Sequence, residues 1–77
     1  MSKSQIQNNL RRWRFNTNEM TQQQLADKVG ASRQTIVAIE KGNYSPSLEL
    51  ALKIAGVFNI SINDVFSYEP EVEKPKR

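Results

Sequence analysis

The sequence predicts an all-α domain of five helices. Three observations point there. Apolar residues recur at helical spacing in successive segments, most clearly at Leu50, Ala51, Ile54, Ala55 and Phe58, which follow i, i+1, i+4, i+5, i+8. Hydroxyl side chains stand at N-cap positions before the later segments, at Thr21, Ser32, Ser47 and Ser61. Gly30 and Gly42 follow two of the segments, where a left-handed residue commonly ends a helix.

Helix 1 is expected over Asn8 to Thr17, with Leu10, Trp13 and Thr17 on one face and Arg14 beside them. Arg11 and Arg12 point elsewhere, to solvent or to phosphate. Helix 2 starts at Gln22, because Thr21 and Gln24 form a T-x-x-Q capping box and Met20 and Leu25 have hydrophobic-staple spacing. Its inner stripe is Leu25, Ala26 and Val29, and Gly30 ends it. Helix 3 begins after Ser32, ends by Lys41 and turns Ile36 and Ile39 inward. Asn43 to Pro46 is a loop. Helix 4 runs from Leu48 to Phe58, and Asn59-Ile60 turns the chain. Ser61 and Asp64 cap a short helix 5 that carries Ile62, Val65 and Phe66.

Helices 2 and 3 share one short turn at Gly30, so they must cross steeply and pack closely. Small Ala26 permits that approach. This is the pattern of a helix-turn-helix, whose second helix is free to lie in a DNA major groove. A helical hairpin used only for packing is the alternative.

Seventy-seven residues make one domain, and a chain this short hides only about 60% of the surface it exposes when unfolded. There is no Cys and no His, which removes disulfides, zinc fingers, thiol chemistry and the commonest general base. Glu19, Asp27, Glu40, Glu49 and Asp64 lie on different elements, and no phosphate-binding glycine loop occurs, so an enzyme is not expected. No cofactor and no metal are expected either. No apolar run approaches a membrane span, and the N-terminus lacks the apolar core of a signal peptide, so a cytoplasmic, nucleoid-associated protein is expected without membrane insertion. The net charge of +3 barely favours nucleic acid by itself. Acidic and basic residues cancel from Ser67 to Arg77, which leaves the excess in the body and at Lys3. Residues 1–69 are expected to form the folded unit and 70–77 a flexible charged tail.

The pieces Thr21-Gln22, Leu25-Ala26, Val29-Gly30, Ser32-Arg33-Gln34-Thr35-Ile36, Ile39-Glu40-Lys41-Gly42 and Pro46 to Ala55 carry a resemblance. Together they resemble the Cro/CI-type (434-repressor-like, XRE) helix-turn-helix family, and within it the small stand-alone dimeric repressors. The resemblance implies a five-helix lambda-repressor-like domain that binds double-stranded DNA sequence-specifically, as a homodimer. It also implies short antiparallel strands from the chain ends, with Ser4 to Gln7 and Phe66 to Tyr68 in the matching places. Between Arg14 and Thr21 the chain is one residue longer than the family spacing, which leaves Phe15 without an assigned place.

On helix 3 the outer arc presents Arg33, Gln34, Val37, Ala38 and Lys41. Arg33 can hold guanine and Gln34 adenine bidentately, while Val37 and Ala38 could pack on thymine methyls or permit close approach. The alternative, less favoured by the motif around them, is that Arg33 and Gln34 are ordinary solvated side chains. Gln22, at a helix N-terminus, is expected to grip a phosphate, as the family does with a Gln at this place. Ser32, Thr35, Lys41, Asn43, Tyr44 and Ser45 are weaker backbone-contact candidates. Arg14 and Glu40 match positions that pair in the family, which implies a structural ion pair between helices 1 and 3. Ile62, Phe66 and Tyr68 are expected to form an exposed dimer patch, with Val65 facing inward.

Two other functions fit this composition. One is an antitoxin that represses its own operon. The other is a protein-interaction module that docks through Ile62, Phe66 and Tyr68. No segment remains for a ligand-binding domain, so any signal is expected to act on the small domain itself or through a protein partner.

Overall fold

Helices α2 to α5 each begin where a hydroxyl closes the first turn. A computed structural model describes residues 6–68. Thr21 Oγ1 accepts from Gln24 N at 3.0 Å while Gln24 Oε1 accepts from Thr21 N at 2.8 Å, and α2 runs Gln22–Val29. Ser32 Oγ accepts from Thr35 N at 3.1 Å at the head of α3, Arg33–Glu40. Ser47 does the same for Leu50 N at 3.1 Å and opens α4, Leu48–Val57. Ser61 and Asp64 close a second capping box for α5, Ile62–Val65. Before these stand β1, Ile6–Asn8, and α1, Leu10–Phe15; after them comes β2, Phe66–Tyr68. The element order is β1-α1-α2-α3-α4-α5-β2.

The turn between α2 and α3 depends on Gly30, whose φ of 72° is left-handed and lets the following N–H, that of Ala31, fold back to Ala26 O at 3.0 Å. Gly42, at φ 80°, plays the same part after α3, and Asn43 N then bonds Ala38 O at 3.0 Å. Ala26 is completely buried at the α2–α3 crossing. Leu10, Leu25, Ile36, Ile39 and Ile54 complete the fully buried centre, one or two from each of the four longer helices. Burying each such side chain contributes about 1.5–3 kcal/mol relative to leaving it in water. Met20, the staple residue, is buried with them.

Helix 1 is shorter than expected at both ends. Asn8 belongs to β1, which pairs antiparallel with β2 in the register Ile6↔Tyr68, Gln7↔Ser67, Asn8↔Phe66. The strands thus form, and β1 reaches one residue further than the resemblance implied, to Asn8; Ser4 and Gln5 are outside the described residues. Asn8 also works with its side chain: Oδ1 accepts from Leu10 N at 3.1 Å, and Nδ2 donates to Ile39 O at 2.9 Å. At the other end α1 stops at Phe15, and the additional residue is absorbed in a turn. Asn18 and Glu19 take left-handed φ of 55° and 52° there. Met20 N still reaches back to Arg14 O at 2.9 Å, so α2 starts in register despite the longer loop. Phe15 is left 63% exposed. The expected mobile tail, 70–77, and Lys3 lie outside the described residues.

Phe66 requires a correction. It is 9% exposed and belongs to the core, not to a surface patch. The expectation extended helical spacing from Ile62 to Phe66. The helix ends at Val65, and Phe66 has extended backbone, φ −117° and ψ 141°, which swings its ring inward. Val65 is buried as expected, Ile62 is half-buried against the core and Tyr68 is 63% exposed. Leu48 and Leu52, on the outer face of α4, are exposed apolar residues that helical periodicity assigns to no core.

Candidate nucleic-acid interface

Helix α3 divides cleanly into an inner and an outer side. Ile36 and Ile39 are buried; Arg33, Gln34 and Lys41 are exposed; Thr35, Val37 and Ala38 are half-buried. Arg33 and Gln34 occupy the first turn. Neither is drawn into a hydrogen bond or ion pair among the described residues, so both side chains can reach outward. Val37 and Ala38 are short and apolar, and they leave room for close approach along the middle of the helix.

Two hollows flank this ridge. Ser32, Gln34, Thr35, Ala38, Asn43 and Tyr44 line one of them. On the other side Val37 and Lys41 share a groove of about 640 Å³ with Gln22, Arg11, Phe15 and Glu19. Most candidate backbone contacts fall into these hollows. Ser45 is exposed but lines neither. Ser32 and Thr35 are partly engaged with each other, their hydroxyls 2.9 Å apart.

Under the larger groove lies an ion pair. Arg14 Nε meets Glu40 Oε2 at 2.6 Å, and Arg14 Nη2 meets Glu40 Oε1 at 3.0 Å. The two side chains are only 13% and 10% exposed. The third nitrogen, Nη1, donates to Met20 O at 2.7 Å, which pins the longer loop. Gln22 enters the same cluster: its Nε2 donates to Glu40 Oε1 at 3.1 Å. The half-buried Gln22 side chain is therefore not a free surface group. Eighteen residues separate Gln22 from Glu40, and no local spacing rule signals such a bond. Another contact of this kind is Trp13, whose Nε1 donates to Asp64 O at 3.1 Å while its ring lies 6.2 Å from that of Phe58. It ties α1 to α4 and α5.

Among the described residues no three His, Cys, Asp or Glu side chains gather as a metal site, and no helix is long and apolar enough to cross a membrane.

A family model described as helix-turn-helix matches residues 11–65, from α1 to the end of α5. The chain is a member of the Cro/CI-type (XRE) helix-turn-helix family. It is a DNA-binding transcriptional regulator of that kind. An uncharacterised HTH-type transcriptional regulator of Methanocaldococcus jannaschii is 60% identical over 52 residues, 68% of this chain and 79% of that one. Another from Archaeoglobus fulgidus is 55% identical over 58 residues, 75% of this chain and 82% of that one. The regulator also has the fold of the solved transcriptional regulator VanUg, with a TM-score of 0.67, 24% identity and coverage of 92% of this chain and 93% of that one. Five helices with a terminal two-stranded ribbon agree with the lambda-repressor-like fold expected from the sequence.

Proposed function

We propose that the regulator is a repressor that binds a palindromic operator as a two-fold homodimer, with α3 in the major groove. The observation that carries this reading is the first turn of α3, where Arg33 and Gln34 are exposed and take part in no hydrogen bond or ion pair among the described residues. Arg33 and Gln34 read base edges, and Val37 and Ala38 meet thymine methyls or allow close approach. Gln22, Lys41, Asn43, Tyr44, Ser32, Thr35 and Ser45 serve the phosphate backbone, which sets register and affinity more than sequence choice.

The case for a dimer is one of information and of surface. One helix reads only a few base pairs, whereas two helices about 34 Å apart read successive major grooves on one face of a palindrome. The exposed Tyr68 and half-buried Ile62, with Phe66 buried beneath, support the α5–β2 end as the side that would meet a second copy. A small domain gains burial from such a partner. Like its family, the regulator would act in the cytoplasm on the nucleoid.

Selecting duplexes from a random-sequence pool with the purified chain tests this reading. An enriched palindrome, with protection of two successive major grooves, is the expected result. Failure to enrich any sequence would remove the reading, and an asymmetric single half-site bound by a monomer would remove the dimer.

A further inference from the structure

The bond between Gln22 and Glu40 joins two features that the sequence kept apart, a phosphate grip and a structural ion pair. Glu40 has one oxygen committed to Arg14 Nε, and it shares the other between Arg14 Nη2 and the Gln22 amide. An amide nitrogen carries two hydrogens. One of the Gln22 pair is taken, which restricts how the amide turns and leaves the second hydrogen for another acceptor. Glutamine is among the side chains that lose most freedom when ordered, so an amide already held loses less on binding. A carboxylate this close to DNA would normally repel it. Arg14 meets Glu40 through two bonds and cancels that charge locally.

We propose that Glu40 is a positioning residue for DNA binding: it holds the Gln22 amide in the orientation that meets a backbone phosphate, and Arg14 keeps Glu40 from repelling that phosphate. The inference rests on the reading that Gln22 contacts DNA. It makes the ion pair part of the binding apparatus as well as of the fold.

The test uses the full chain and a fluorescein-labelled duplex that it enriches from a random-sequence pool. Gln22→Ala should weaken binding by about tenfold, the effect of one hydrogen bond to a charged group. Replacing Arg14 and Glu40 together by Met removes the tether but leaves Gln22 in place, and should cost part of that factor, about several-fold, because the amide must then be ordered on binding. Adding Gln22→Ala to that pair should cost less than it does alone. The side-chain amide signals of Gln22, resolved and slow to exchange in the parent, should move to solvent-exposed values in the Met pair. A Met pair that binds like the parent, or losses that multiply in the triple variant, would overturn the positioning role while leaving the phosphate contact standing. Unchanged binding by Gln22→Ala alone would overturn the contact itself, and the inference with it. If the Met pair does not fold, the parent decides through the same amide signals: the Gln22 side-chain amide should be slow to exchange in the free chain, and exchange at the rate of an exposed glutamine would overturn the proposal.

Discussion

The two ends of α3 are built on opposite terms. At its first turn Arg33 and Gln34 extend freely into solvent. At its last turn Glu40 is nearly buried and is held by Arg14 and Gln22. In the proposed function these exposed side chains meet bases, and they would bear an ordering cost on binding. Groups that fix the helix in space can be set in advance. Under the proposed function, sequence choice falls to one end of the helix and alignment to the other.

The most severe way to break that contrast is at the held end. Arg14→Met leaves Glu40 unpaired in a site about one-tenth exposed, and should destabilise the fold by about 3–5 kcal/mol. Met at both positions should recover much of the loss, because an apolar pair has no uncompensated charge. Urea melts of the single and double variants check this; two additive losses would mean that the charges do not interact.

Arg33→Ala tests the free end. Stability should stay within about 0.5 kcal/mol of the parent, as expected for a surface change. Specific binding should weaken by about 1–3 kcal/mol, with preference relaxed at one base pair. Anisotropy titrations against single-base variants of the enriched duplex would show it. Unaltered preference would mean that the free end does not read bases.

Ser32→Ala sharpens the boundary between the two roles, since Ser32 both caps α3 and is a candidate backbone contact. Loss of the cap should cost about 1 kcal/mol of stability. If the hydroxyl also meets a phosphate, affinity should fall alike for all sequences. A melt paired with a titration on mixed-sequence duplex separates the effects.

The smallest effect is expected far from α3. Lys53 and Glu49 form an exposed i,i+4 pair at 3.4 Å on α4, and Lys53→Ala should change stability by only about 0.2–0.5 kcal/mol. A larger loss in melts would show that this surface pair behaves like the held one.

Where the sequence was legible, the governing interactions are local. Thr21, Ser32, Ser47 and Ser61 each act on a backbone N–H two or three residues ahead, so the starts of α2 to α5 can be read directly. The inward stripes of α2, α3 and α4 follow from the 3.6-residue period. Helix 1 was overextended because Asn8 is claimed by a strand partner far along the chain and by the carbonyl of Ile39. Phe66 was misplaced because periodicity cannot show that α5 lasts only four residues. The outer arc of α3 was visible as a pattern. The tether of Gln22 was not, since it exists only after α2 and α3 have packed.

The β1–β2 ribbon also bears on the order in which the molecule assembles. Its partners, Ile6 and Tyr68, stand at opposite ends of the described chain, so pairing them closes the longest loop available. The α2–α3 hairpin needs only a short turn. Loop-closure entropy therefore favours an early hairpin and a late ribbon. In hydrogen exchange, the amides of Gln7 and Ser67 should open through local fraying, well before those of Leu25 and Ile39, which should exchange only through global unfolding. The DNA-reading unit would thus persist while the seam that joins the two ends of the chain opens and closes.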